Sequence, residues 1–461
     1  MNLHNINLKI YYFSIFIHNH ITYKFQRHYI MKAEYSTEGP ILKVKFILEN
    51  DDGKATSRGV SMVRDVLEIR LNDSLSASKI HPDHLALITI MSVHPFVRDV
   101  LKIDLKVSAE FAEIVQKLCS YNIEFKSTKG KQYVANSKSR PCLAFSGGVD
   151  STAALMLMPK DTVCAWLDRP QLTERTLYNK SAANATMDFA EKSGFEVHKV
   201  YCDVEHLRNP VGFPVDLTSG ITAIAIASQR NIDSIAYGMV MESSYRTGHA
   251  KYREYPLSTH YKMWAPLFAT AGIPLFLPVG GVSEVCTSII VINSPFNGAA
   301  RSCIRGEWPE PCNNCWKCFR KTLVDNRILN KPISNEEMAK WISVKEVKYK
   351  LKSWPVSHEN VLAWALKNPL ISGEIAKKLL KRLEGSRRDL DLLSRWYPPS
   401  IELIPEKYRN DFIKILGEYI GTMSDSEIED SKMLDISDWL GSKKAMKARA
   451  TFEEILNPVE T

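Results

Sequence analysis

The chain has 461 residues, 45% of them apolar and 24% charged, which is room for about three domains and outside the range of disordered or fibrous sequences. Its formal charge of +8 suits small anionic ligands such as nucleotides but is too small to mark a nucleic-acid binder. No apolar run is long enough to predict a membrane-spanning helix, so no membrane partner is expected.

Within residues 1–30, Ile10–Ile17 (IYYFSIFI) is too short for a signal peptide and has no small-residue cleavage site after it. The segment is expected to be an extension, or to precede a true start at Met31. Residues 31–135 read as a small α+β domain. Leu42, Val44, Phe46 and Leu48 alternate as in a strand, and Asp51-Asp52-Gly53 supplies a turn. Val66–Leu71 and Leu101–Val107 are further strands. Ser108 caps a helix through Leu118, with Phe111, Ile114, Val115 and Leu118 on one face. A structural or partner-docking role is expected here, because no cluster of catalytic residue types occurs.

Residues 136–330 alternate short apolar runs with helical stretches. The expected strands are Cys142–Phe145, Thr162–Leu167, Val197–Tyr201, Ser234–Tyr237 and Leu275–Leu277. The expected helices are Ser151–Met158, Glu174–Lys192, Leu217–Arg230, His260–Ala271 and Val282–Val291. This is the pattern of an α/β fold with a doubly wound parallel sheet buried on both faces, whose ligands sit beyond the carboxyl ends of the strands. Residues 331–461 read as a helical domain. Glu374–Leu383 carries Lys377, Lys378, Lys381 and Arg382, with Arg387 and Arg388 after it. The charge run reads as a solvated helix face, and contact with a polyanion or acidic protein is the alternative. Trp396–Ser400 (WYPPS) reads as a turn.

The strongest chemical signal is Ser146-Gly147-Gly148-Val149-Asp150-Ser151, between the first central strand and its helix. Paired glycines let backbone N–H groups approach an anion, Ser146 and Ser151 add hydroxyl donors, and the helix presents its positive end. The result is a phosphate cradle without the lysine of a Walker loop. Four of the nine cysteines form a second signal: Cys303, Cys312, Cys315 and Cys318, spaced C-x8-C-x2-C-x2-C. Four clustered thiolates suit a closed structural Zn²⁺ site, with an iron–sulfur cluster or thiol chemistry at Cys315/Cys318 as alternatives. Lys317, Arg320 and Lys321 are placed to offset the charge of such a site. Cys119, Cys142, Cys164, Cys202 and Cys286 sit among apolar neighbours and read as reduced core thiols, so a cytoplasmic setting is expected.

The string Ser146–Ser151 resembles the SGGxDS loop of the PP-loop (N-type) ATP pyrophosphatase superfamily. Together with the later C-x2-C-x2-C cluster it resembles the 7-cyano-7-deazaguanine synthases, over roughly Pro141–Leu323. The resemblance implies ATP held by Ser146, Gly147, Gly148, Val149, Asp150 and Ser151. It implies backbone contact of adenosine with Ala165–Leu167, Mg²⁺ beside Asp150, and Zn²⁺ on the four cysteines. The implied reaction adenylates a carboxylate, releases pyrophosphate and transfers the acyl group to a nitrogen nucleophile, forming an amide or nitrile. Ser146 and Asp150 carry over as catalytic positions. The family's Gly-x-Asn and Asp-Tyr-Ser-Gly-like segments are replaced here by Tyr237–Tyr255 (YGMVMESSYRTGHAKYREY), with only Gly238 and Tyr245 in common. An altered acceptor is therefore expected: a carboxylate-bearing, deazapurine-like molecule, or a protein or RNA, with antiviral defence among the settings known for such relatives.

Within that stretch, Arg246, His249, Lys251 and Arg253 are expected to face the nucleotide, where Arg246 and Lys251 would neutralise pyrophosphate or hold a carboxylate. An exposed basic loop is the alternative. Glu242 is a weaker candidate to contact a purine amine, and Asp203 and His206 read as loop structure. Two other functions use the same loop: tRNA thiolation, which needs a catalytic cysteine outside the cluster, and a non-catalytic ATP sensor or assembly subunit.

Overall fold

The computed structural model describes residues 29–48, 59–171, 179–247, 251–383 and 388–456. The expected turn at Asp51–Gly53 and the segment Ile10–Ile17 lie outside these residues, as do His249 and Arg387. Ten strands form one mixed, largely parallel sheet. In chain order they are β1 (Ile30–Glu38), β2 (Ile41–Leu48), β3 (Val66–Arg70), β4 (Val100–Ser108) and β5 (Asn122–Gly130). The others are β6 (Arg140–Ala144), β7 (Val163–Asp168), β8 (Glu196–Cys202), β9 (Ile232–Ala236) and β10 (Leu275–Phe276). The spatial order is β10-β9-β6-β7-β8-β3-β2-β1-β4-β5.

Five strands, β10, β9, β6, β7 and β8, are mutually parallel, and β6 and β7 are the most apolar of them. The sheet as a whole is not purely parallel. β3 pairs antiparallel with β8, through Ile69 opposite Cys202 and Arg70 opposite Tyr201, so one sheet runs across the boundary expected at residues 135 and 136. β1, β2 and β3 form an antiparallel meander, after which β4 and β5 return to parallel pairing.

Side chains alternate between two faces. Along β6 and β7, Cys142, Val163, Ala165 and Leu167 join one core, and Leu143, Cys164 and Trp166 join the other. The first face is covered by the helices Pro82–Val93 and Ile221–Ala227, and the second by Val149–Met156 and Glu284–Ile292. The expected helix at 217–230 starts as a 3₁₀ turn, Asp216–Gly220; of the helix expected at Glu174–Lys192, residues 174–178 lie outside the described residues and Ser181–Lys192 is helical. The helix capped by Ser108 forms as expected, with Ser108 Oγ accepting the Phe111 N–H at 3.2 Å.

From Asn335 to Leu456 the chain is mainly helical. Here the basic helix Glu374–Arg382 corrects one expectation. Lys377 and Lys381 face solvent, but Arg382 is 1% exposed and donates to the backbone oxygens of Leu351 and Ser353. It is a structural cation and not part of a solvated face. Among the described residues no helix is long and apolar enough to cross a membrane.

Candidate functional site

In spatial order β6 leads to β7 and β8 on one side and neighbours β9 and β10 on the other, so the chain reverses direction between β6 and β9. Loops at such a switch point separate and leave a crevice beyond the strand ends. The loop Ser146–Ser151 leaves β6 there, and the chain after β9 forms the opposite lip. Gly147 has φ +74°, and a Cβ on it would lie 3.2–3.3 Å from Thr186, Ala183 and Met187, so a side chain there is strained by conformation and crowded by its neighbours. A Cβ on Gly238 would lie 2.8 Å from the Cα and N of Ser151. The two lips therefore meet backbone to backbone. Ser146 Oγ lies 3.0 Å from Ser151 Oγ, which donates to the Gly148 oxygen at 3.0 Å. Gly148 precedes the helix Val149–Met156, whose first N–H groups have no partner within the helix.

The loop borders a cavity of about 390 Å³. Ser146, Gly147, Gly148, Asp150, Ser151, Ala165, Trp166 and Leu167 all line it; Val149 does not. Its basic groups are Arg169, Arg301 and Lys317. Ser302 Oγ is buried in this wall and has no hydrogen-bond partner among the described residues.

Arg246 and Lys251 do not line the cavity. After β9 the chain makes a helical turn, Met241–Ser244, and buries Tyr245 against Tyr397 with ring centroids 5.0 Å apart. Arg246, at φ +62°, is left in solvent, and exposed Lys251 acts on Asp435. Arg253 donates to the backbone oxygens of Ser244 and Ser243. Glu242 does not line the cavity either. It is wholly buried, and both its oxygens accept the Glu284 N–H at 3.0 Å. Burial, reinforced by the charge of Glu284, pushes its carboxyl up to about 8. Asp203 has a structural part, accepting the Glu68 N–H and pairing with Arg64 at 3.0 Å.

Behind the loop lies an ionic network that sequence reading missed. Glu284, 2% exposed, pairs through Oε1 with Arg320 at 2.9 Å and with Lys321 at 3.5 Å, and its Oε2 lies 3.2 Å from His358 Nδ1. Burial opposes its charge, but Lys321, Arg320 and His358 outweigh that and hold its carboxyl well below the usual range. Lys321 also reaches Asp150 Oδ1 at 3.7 Å and Ser288 Oγ at 3.1 Å, and Thr287 Oγ1 donates to the same Asp150 oxygen at 2.8 Å. Arg320 and Lys321 thus turn to Glu284, not to the cysteines. The available signal was Glu284, the single charged residue in Val282–Val291, since a buried acid needs a partner.

The four clustered cysteines converge, with all four Sγ atoms within 4.8 Å of one another. Tetrahedral zinc with Zn–S of about 2.3 Å places its sulfurs about 3.8 Å apart, and Cys312 Sγ lies 3.8 Å from Cys318 Sγ. Backbone N–H groups of Arg305 and Cys312 point at Cys303 Sγ, and that of Cys318 at Cys315 Sγ, each at 3.4 Å. The donor set, spacing and burial fit a metal such as zinc. Cys303 and Lys317 line the cavity as well, so the cluster forms part of its wall. The other five cysteines are buried or half-buried. Burial pushes the thiols of Cys119 and Cys286 up to about 11 and about 12, and raises Cys142, Cys164 and Cys202 further.

Residues 263–435 match a family described as a family of unknown function (DUF6395), a span that contains the cysteine cluster, Glu284, Lys321 and His358 but not the loop at 146–151. No curated protein and no solved structure matches the chain.

Proposed function

We propose that the protein is an ATP- and Mg²⁺-dependent ligase-type enzyme that activates a carboxylate as its adenylate and passes the acyl group to a nitrogen nucleophile. The observation that carries this reading is the Ser146–Ser151 loop, which opens a helix at the switch point of a largely parallel sheet and lines a cavity together with Leu167. In this reading the loop N–H groups and the Ser146 and Ser151 hydroxyls hold the β- and γ-phosphates, and Ala165–Leu167 border the adenosine. A substrate carboxylate oxygen attacks the α-phosphorus, the bond to the bridging oxygen breaks and pyrophosphate leaves. The nitrogen nucleophile then attacks the acyl carbon and AMP departs.

Arg169, Arg301 and Lys317 replace Arg246 and Lys251 as the groups that meet pyrophosphate or a substrate carboxylate. Mg²⁺ beside Asp150 would neutralise phosphate charge, and zinc on the four cysteines would serve as structure. The acceptor, a small deazapurine-like carboxylate or a macromolecule, would share the cavity with the nucleotide, where Asp216, Ser219 and Ser243 also line the wall. Thiolation is disfavoured, because every cysteine outside the cluster is shielded and has a raised thiol.

The test is exchange of labelled pyrophosphate into ATP, with Mg²⁺ and size-fractionated host extract, for wild type, Ser146→Ala and Asp150→Ala. Exchange that depends on one fraction and is lost in the variants supports adenylation and sizes the acceptor. ATP binding without exchange in any fraction replaces the ligase with a nucleotide sensor.

A further inference from the structure

We propose that Lys321 and Glu284 form a buried clamp that fixes Asp150 at the head of the phosphate loop, held on one side by the cysteine cluster and on the other by the helical C-terminal part. The Lys321 and Thr287 contacts both fall on Asp150 Oδ1. Asp150 also lines the cavity, so Oδ2 is the oxygen left for what binds there.

The clamp is assembled from separate parts of the chain. Thr287, Ser288 and Glu284 belong to the helix Glu284–Ile292, which packs on the helix that carries Asp150. Lys321 belongs to the helix Trp316–Ile328, capped by Cys315, and follows Cys318 by one turn on the same side. Whatever fixes Cys315 and Cys318 therefore fixes the base of Lys321. His358, at φ +57°, arrives from beyond residue 331 to close Glu284 Oε2.

A buried ionic cluster is a poor source of stability compared with apolar packing. Its position against one carboxylate of a phosphate-type loop gives it a different use. A carboxylate facing phosphates is repulsive unless a cation compensates it, and Lys321, 7% exposed, supplies that cation without entering the cavity. Lys321 and Glu284 are thus positioning residues that act through Asp150. The bearing on nucleotide binding rests on the proposed function; the fixing of the loop does not.

Hydrogen exchange by mass spectrometry on the full chain tests the clamp, comparing wild type, Lys321→Met, Lys321→Arg and Thr287→Val. Peptides covering 146–151 should exchange about tenfold or more faster in Lys321→Met and Thr287→Val, with recovery in Lys321→Arg and no change in the distant β4 and β5. Thr287→Val keeps the shape of the site and carries the test if Lys321→Met does not fold. Unchanged exchange at 146–151, or faster exchange throughout the molecule, overturns the clamp.

Binding of a non-hydrolysable ATP analogue with Mg²⁺ supplies the second readout. Lys321→Met should weaken it about tenfold in wild type and by little in an Asp150→Asn background, because both changes act through one carboxylate. Equal losses in the two backgrounds overturn action through Asp150. A wild-type protein that does not bind the analogue overturns the proposed function, and the exchange result still decides the clamp.

Discussion

Replacing Glu242 with glutamine isolates a buried proton. Glu242 is enclosed, Glu284 and Asp150 add negative charge nearby, and its carboxyl stands at about 8 against an ordinary value of 4.5. Below pH 4.5 the folded and unfolded chains both hold this proton, and its contribution to stability is complete. Between pH 4.5 and 8 the unfolded chain releases it while the folded chain keeps it, so stability falls as pH rises. The displacement corresponds to a few kcal/mol, on the order of 1.4 for each pH unit crossed. Glu242→Gln keeps the shape and cannot ionise, so it should be close to wild type at pH 5 and more stable than wild type at pH 8. The assay is thermal or urea unfolding of both proteins at half-unit steps from pH 5 to 8.5. Buried His84 and His198 and half-buried His94 titrate in both proteins, as do the cysteines, so the difference between the two curves isolates Glu242. Parallel curves across this range would refute the assignment of a protonated Glu242.

Gly238→Ala should destabilise the fold by about 1–3 kcal/mol and displace the loop, because its Cβ would meet backbone atoms of Ser151 at 2.8 Å; urea unfolding, with exchange at residues 146–151, checks it. Purified protein should carry one zinc per chain by elemental analysis, and Cys315→Ser or a strong chelator should remove it and lower the melting temperature. Arg382→Met should cost about 2–4 kcal/mol of stability by urea unfolding, since it strands the carbonyls of Leu351 and Ser353, whereas Lys381→Ala should stay within about 0.5 kcal/mol.

The central strands were legible because burial on both faces leaves short apolar runs such as Val163–Leu167, and each of the five expected runs overlaps an observed strand. The same physics hid the helix Pro82–Val93. Eleven of its twelve residues are buried, so it has no polar face and no helical stripe to read. β5 escaped for the opposite reason. It is an edge strand (NIEFKSTKG) with many exposed polar residues, which local pattern does not separate from loop. In the site, the loop and the cysteines were legible because each is a local string with its own chemistry. Arg246 and Lys251 lie outside the cavity lining, next to a segment where Tyr245 packs on Tyr397, a contact across 152 positions that no local pattern encodes.

The cysteine cluster reaches the cavity by two routes. One is the wall Arg301–Ile304, which contains Cys303 and brings Arg301 and Ser302 to the cavity. The other is the helix that starts at Cys315 and carries Lys321 to Asp150. Opening the four-sulfur site would release both at once, one from beside the cavity and one from behind the loop. A purely local structural metal would affect the wall and leave Asp150 in place. Exchange at 146–151 after chelation therefore separates a cluster that closes the cavity from one that also sets the loop, and the geometry of Cys318 and Lys321 on one helix face favours the second.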